Sequence, residues 1–107
     1  MKKKKKNNKK ETILGFTKVE VLGHKLRVIE TDNTDDLVIN GTLCFGAFKP
    51  IDSEIVISLR QSGENMKQTF YHELLHAIDF FSHNEEYKYD EEIVNVLGRG
   101  LHTVRLG

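Results

Sequence analysis

The chain is poor in cysteine and proline, has no tryptophan, and contains no long apolar run. Cys44 stands alone among 107 residues, so no intrachain disulfide can form and a disulfide-stapled scaffold is excluded. With no disulfide framework and no apolar stretch of the signal-peptide kind, the expected setting is reducing and cytoplasmic. No segment approaches the roughly 20 apolar residues of a membrane-spanning helix, so no membrane partner is expected. Net charge is also missing, since 16 basic residues balance 16 acidic ones.

That balance hides an asymmetry. Seven of the basic residues, Lys2 to Lys6, Lys9 and Lys10, fall in the first ten positions, and the remainder from Glu11 onward carries a balance of −7. The sequence therefore divides into a basic arm, residues 1–10, and a single acidic domain, residues 11–107. The arm has two readings. Lysines can hold nucleic acid or an acidic partner by neutralising phosphate or carboxylate charge. A run of like charges with nothing apolar to bury also stays solvated and disordered. No aromatic residue stands among these lysines to stack on a base, which favours the disordered tail.

Past the arm, apolar and polar residues alternate over 16–21 and again over 26–29, with Gly23-His24 at the reversal, a β-hairpin pattern. A polar, acidic loop covers 31–36. Residues 37–39 form a short strand before the Asn40-Gly41 turn signal. Residues 43–48 read as a strand with Gly46 as a bulge or close-approach point. A turn at 49–53 leads to the clearest strand, 54–59, which is rich in β-branched residues. The period then changes. Ser62 to Asn65 offers a helix start, and Met66, Phe70, Leu74, Ala77 and Phe81 recur at helical spacing. After a polar connection over 82–88, Asp90 is placed to cap a second helix running to about Arg105, with Glu91 and Glu92 in its first turn. Strands followed by two helices make an α+β domain built on an antiparallel or mixed sheet.

The chemistry is concentrated in His72-Glu73-Leu74-Leu75-His76. On a helix, residues four apart project from nearly one direction, so His72 and His76 can meet one Zn2+ ion at about 2.0–2.1 Å each. Glu73 is rotated off that line, where it need not ligate and can act as a general base. The apolar stripe lies across the helix and anchors it. A third ligand must come from elsewhere. His83 falls at the frayed end of the helix. Glu91 shares a helical face with Val94, Gly98 and Leu101, an apolar and small-residue side suited to packing against the first helix. Glu92 shares its face with Asn95, Val96 and Arg99, so Glu91 is the preferred ligand and Glu92 the alternative. Asn95 is a candidate partner for a ligating histidine. Asp79 could hold a histidine ring nitrogen or stand as a solvent-facing carboxylate. Cys44 is read as a buried strand thiol, the alternative being a thiol that blocks the zinc in a latent form.

His72-Glu73-Leu74-Leu75-His76-Ala77-Ile78-Asp79 followed by Asp90-Glu91-Glu92-Ile93-Val94-Asn95 resembles the gluzincin pattern of HExxH plus a downstream glutamate. More narrowly it resembles the minigluzincins and the prophage-associated ImmA/IrrE-like metallopeptidases, over roughly residues 54–106. The resemblance implies a small zincin-like fold, with the HExxH helix followed by a second helix that carries the third ligand. It implies zinc held by His72, His76 and Glu91, Glu73 as the catalytic base, and hydrolysis of a peptide or protein substrate, as an endopeptidase. It also implies an edge strand beside the site that aligns an extended peptide, best matched by 54–59. Many gluzincins carry an acid where Asn95 stands. Tyr71, Tyr87, Tyr89 and His102 are the candidates for stabilising an oxyanion, although His102 lies three helical turns from Glu91 at about 5.4 Å per turn, which favours a packing role for it. The rival readings are a non-catalytic or latent zinc-stabilised module, motivated by the small core, and an adaptor that uses the lysine arm.

Overall fold

The computed structural model describes residues 12–106, and the lysine arm lies outside them. Strand β1 (Lys18–Val21) turns into β2 (His24–Thr31) through Leu22 and Gly23, both left-handed with φ of 51° and 84°. Two left-handed residues make the tight turn whose twist matches the flanking strands, and Gly23 takes that conformation at no steric cost. His24, expected in the turn, instead begins β2 and stacks on Phe81 at 3.8 Å between ring centroids.

The acidic segment after β2 is not all loop. Asn33 accepts a hydrogen bond from the Asp35 backbone and caps a short 3-10 helix, Thr34–Leu37. Leu37, expected in a strand, ends this turn and is 1% exposed. Strands β3 (Val38–Ile39) and β4 (Thr42–Leu43) form a small hairpin about Asn40 and Gly41, both left-handed. The strand expected over 43–48 is broken at Cys44 and Phe45, so β5 is Gly46–Lys49. Strand β6 is Glu54–Ser58.

The main sheet has the order β1-β2-β6-β5 and is mixed: β2 and β6 run parallel, while the two outer pairings are antiparallel. This corrects one expectation. The 54–59 strand is not the edge, because β6 is paired on both sides, and the edge strand next to the helices is β5. Strand alternation sorts the core. Leu26 and Val28 of β2 and Ile55 and Ile57 of β6 face one way, and Val56 and Ala47 face the other, onto Leu37.

Helix α1 (Gly63–Ser82) lies on the first of these faces. Ser62 caps it by accepting from the Asn65 backbone at 3.1 Å, and Met66, Phe70 and Ala77 close the core over Ile55 and Ile57. Leu74 and Phe81 complete the stripe at its half-buried margin. Helix α2 (Glu91–Thr103) is capped by Asp90, which accepts from Ile93 at 2.8 Å, and ends slightly before the expected Arg105. It buries Val94 and Gly98 as it packs on α1. The result is a small α+β domain with a mixed sheet and two helices. No helix of the described residues is long and apolar enough to cross a membrane.

Candidate metal centre

His72 and His76, one turn apart on α1, bring their Nε2 atoms to 3.2 Å from each other. Glu91, the first residue of α2, places Oε1 at 2.8 Å from His72 Nε2 and Oε2 at 3.3 Å from His76 Nε2. Donors arranged tetrahedrally around one zinc ion at about 2.0–2.1 Å stand about 3.3 Å apart. The three observed separations lie close to that figure, and two imidazoles with one carboxylate are donors that zinc accepts. These residues therefore fit a bound zinc. They are the group of histidine, cysteine and carboxylate donors that converges among the described residues.

The preference for Glu91 over Glu92 thus corresponds to a contact. Three local features produce it. The Asp90 cap fixes the first turn of α2, so Glu91 emerges toward α1. Gly98 lets the helices approach: a Cβ there would sit 3.5 Å from the backbone N and Cα of His72. Asp79 holds the connection between the helices. Its carboxylate is fully buried and accepts the Lys88 N–H at 2.8 Å, the Tyr89 N–H at 2.9 Å and the His83 ring nitrogen Nδ1 at 2.9 Å. Asp79 does hold a histidine ring nitrogen, that of His83, and is not a solvent-facing carboxylate; its main partners are backbone N–H groups that ready the chain for α2.

Glu73 lies beside the donors but faces β5. It is 7% exposed. Burial and the nearby Glu91 charge push its carboxyl up to about 7, against a hydrogen bond from the Phe48 backbone. Burial also lowers the His76 imidazole, with the neighbouring His72 adding to the effect and Glu91 opposing it. A neutral imidazole is the form that ligates a metal.

Glu73 and the three donors open onto a cleft of about 820 Å³ between α1, β5 and the β3–β4 hairpin. Gly46 is where β5 crosses close to the helix. A Cβ at Gly46 would collide with Thr69 Cγ2 and lie 3.2 Å from Glu73 Cγ, so the expected close-approach role is realised. Cys44 is half-buried on the cleft wall between β4 and β5, not a buried strand thiol. Asn95 lines the cleft but makes no hydrogen bond to either histidine among the described residues. Arg60 and Gln61 also line it, and no local pattern in the sequence marks either one.

The four oxyanion candidates separate. Tyr87 is near the donors, its ring centroid 6.1 Å from that of His76. Tyr89 packs against His83, Tyr71 lines a different cavity, and His102 pairs with Glu64 at 3.1 Å at the far end of the helices.

Comparisons with protein families, with curated proteins and with solved structures find no match to this chain.

Proposed function

We propose that this domain is a zinc-dependent peptidase of the gluzincin kind, with a zincin-like fold, in which His72, His76 and Glu91 hold the metal and Glu73 is the general base. The observation that carries the reading is the position of Glu73. It is a buried carboxylate beside a three-donor cluster, facing the same cleft without belonging to the cluster. Three protein donors is also the number used by catalytic zinc sites, whereas structural sites use four.

When bound, zinc supplies a Lewis acid that polarises a carbonyl and lowers the pKa of water. The chain supplies the rest. The Glu73 carboxylate takes a proton from the attacking water, and a carboxyl pushed toward neutrality by burial can hold that proton and then deliver it to the leaving amine. The free side of β5 offers a substrate backbone a strand to pair with. In the antiparallel β5–β6 pair, Ser58 donates to the Phe45 carbonyl at 2.8 Å. By strict alternation, Ala47 also directs its backbone groups toward β6, while Gly46 directs its N–H and C=O outward and Phe48 its C=O, the Phe48 N–H being turned to Glu73. Tyr87, whose phenol is pushed up by burial and by the Glu73 and Asp79 charges, stays protonated and, with its ring beside His76, is the candidate donor to a developing oxyanion.

The deciding experiment compares wild type with Glu73→Gln for zinc content and for cleavage of a mixed peptide library read by mass spectrometry. The expected result is equal zinc in both proteins and cleavage by wild type alone, a loss of about a hundred- to ten-thousand-fold. Equal cleavage by the two proteins overturns Glu73 as base. Stoichiometric zinc with no cleavage by either one identifies a zinc-stabilised module instead.

A further inference from the structure

The cleft extends beyond the metal donors toward the start of α1, and its far end has a different character. Arg60 lies there, past the Phe45 end of β5, on the order of 10 Å along the strand direction from Gly46. Among the described residues that line the cleft it is the one lysine or arginine, and the fixed carboxylates, Glu73 and Glu91, are at the opposite end.

The guanidinium is already positioned. Its Nε and Nη2 donate to the Asp32 carbonyl at 3.3 and 3.2 Å. These two N–H groups form the side-on fork of an arginine, so the end-on pair on Nη1 and Nη2 has no hydrogen-bond partner among the described residues, and Arg60 is exposed. No carboxylate of the described residues lies within ion-pair distance of it. A planar cation held by a neutral carbonyl keeps its full charge, and its geometry matches a carboxylate in two parallel hydrogen bonds. Beside it the cleft wall is apolar and open, with Ile39 40% and Phe45 60% exposed. The floor is braced by Gln61, which donates to the carbonyls of Phe45 and Ser58 and accepts from the Thr69 hydroxyl. A cationic fork fixed at one end of a groove, with an unpaired strand edge leading to it, is a recognition site for an anion carried on an extended chain.

We infer that Arg60 selects peptides bearing a carboxylate about three residues from the bond held at Glu73, an inference that rests on the peptidase reading above. Pairing along β5 sets the direction. Antiparallel pairing is the more stable arrangement and two- to threefold the commoner one. A peptide antiparallel to β5 runs from the Phe48 end toward the Phe45 end, so the carboxylate lies on the C-terminal side of the scissile bond. Both an aspartate or glutamate side chain and a free C-terminus carry this group.

The test is binding, not turnover. Full-length zinc-loaded Glu73→Gln protein is titrated into fluorescein-labelled peptides of one sequence. These carry Glu three residues C-terminal to the central bond, Glu three residues N-terminal to it, or Gln at both places, each with a free or an amidated end, and anisotropy is recorded. The expected result is that the C-terminal-side Glu peptide binds about fivefold tighter than the Gln peptide, and that adding Arg60→Gln removes the difference. Arg60→Lys, which keeps the charge without the fork, should retain part of the preference, and thermal unfolding of each variant checks the fold. If Glu is preferred over Gln when both ends are amidated, the side-chain carboxylate is the ligand; if free-ended peptides bind tighter than their amidated forms whether they carry Glu or Gln, and Arg60→Gln removes that difference, the terminus is, and either result supports the inference. Peptides that bind without regard to charge, that prefer the N-terminal-side Glu, or that keep their preference after Arg60→Gln overturn it while leaving the peptidase reading standing. No binding of any peptide to the zinc-loaded protein overturns both.

Discussion

Gly98 packs directly on the backbone of His72, so a point of close approach between α2 and α1 is also the point that carries one of the three clustered side chains. The 3.5 Å gap to a built Cβ is ordinary contact distance, which makes the position sensitive to size and tolerant of a methyl group. Gly98→Ala should keep zinc content and, because alanine is favoured over glycine within a helix by about 1 kcal/mol, hold or slightly raise the melting temperature. Gly98→Leu should force the helices apart, lower stability by about 1–3 kcal/mol and weaken zinc binding. Metal titration followed by thermal unfolding separates the two outcomes, and normal zinc affinity in Gly98→Leu would show that this contact does not set the donor geometry.

Gly46 and Thr69 make the corresponding contact on the other side of α1. A Cβ at Gly46 meets Thr69 Cγ2, and Thr69 cannot swing away without breaking the 3.0 Å bond from its hydroxyl to Gln61. Gly46→Ala should destabilise the domain by about 1–3 kcal/mol. Thr69→Ser removes the offending methyl and keeps the hydroxyl, so the double variant should recover most of the loss. A double-mutant cycle measured in urea checks this, and simple additivity would contradict it.

The third ligand can be tested directly. Glu91→Gln should reduce zinc affinity by more than the ten- to hundredfold typical of an outer-shell partner, while Glu92→Gln should leave it near wild type. His72→Ala and His76→Ala should lose metal and metal-dependent stability together. Competition with a chromophoric chelator gives the affinities, and unchanged zinc in any of the three donor variants removes that residue from the set.

Asp79 links the connection between the helices to pH. Burial alone would raise its carboxyl, but hydrogen bonds from Tyr89, Lys88 and His83, with the charge of His83, outweigh burial and hold it below its ordinary value of 3.8. A carboxylate depressed in the folded state contributes stability that is present above its unfolded pKa and is lost as pH falls through the folded value. Metal-free wild type should therefore weaken below about pH 4. Asp79→Asn should be less stable at neutral pH by about 1–3 kcal/mol, since one acceptor oxygen is replaced by a donor, and should lose less on further acidification. Urea unfolding at several pH values follows both effects. An identical pH dependence in the two proteins would mean that Asp79 is not the responsible group.

What the sequence disclosed is what local chemistry dictates. His72 and His76 share a face through helical spacing alone, and Ser62 and Asp90 bond to backbone N–H groups three residues ahead, so the helix starts and the two histidine donors were readable. The Asn40-Gly41 turn was readable for the same reason. The sheet order was not, because the parallel pairing of β2 with β6 joins segments that carry no shared local signal. One clue was present and misassigned. A strand with almost every residue buried, as in β6, is flanked on both sides, and its unbroken apolar run marked the centre of the sheet and not its edge. A histidine partner for Asp79 is legible and is found in His83, but its burial is not, because its main partners are main-chain N–H groups of Lys88 and Tyr89, which leave no trace in side-chain identity.

Two donors come from a single turn of α1 and the third arrives on a separate helix, so on the reading advanced above metal binding and helix docking are one equilibrium. A ligand that binds only the docked arrangement adds to its stability by mass action, about 2.7 kcal/mol when free zinc stands a hundredfold above its dissociation constant. The domain would then report metal supply through its own cohesion. As zinc falls, α2 should be the first element to separate, and the 83–90 connection, exposed over most of its length, should become the first place where a nonspecific protease cuts.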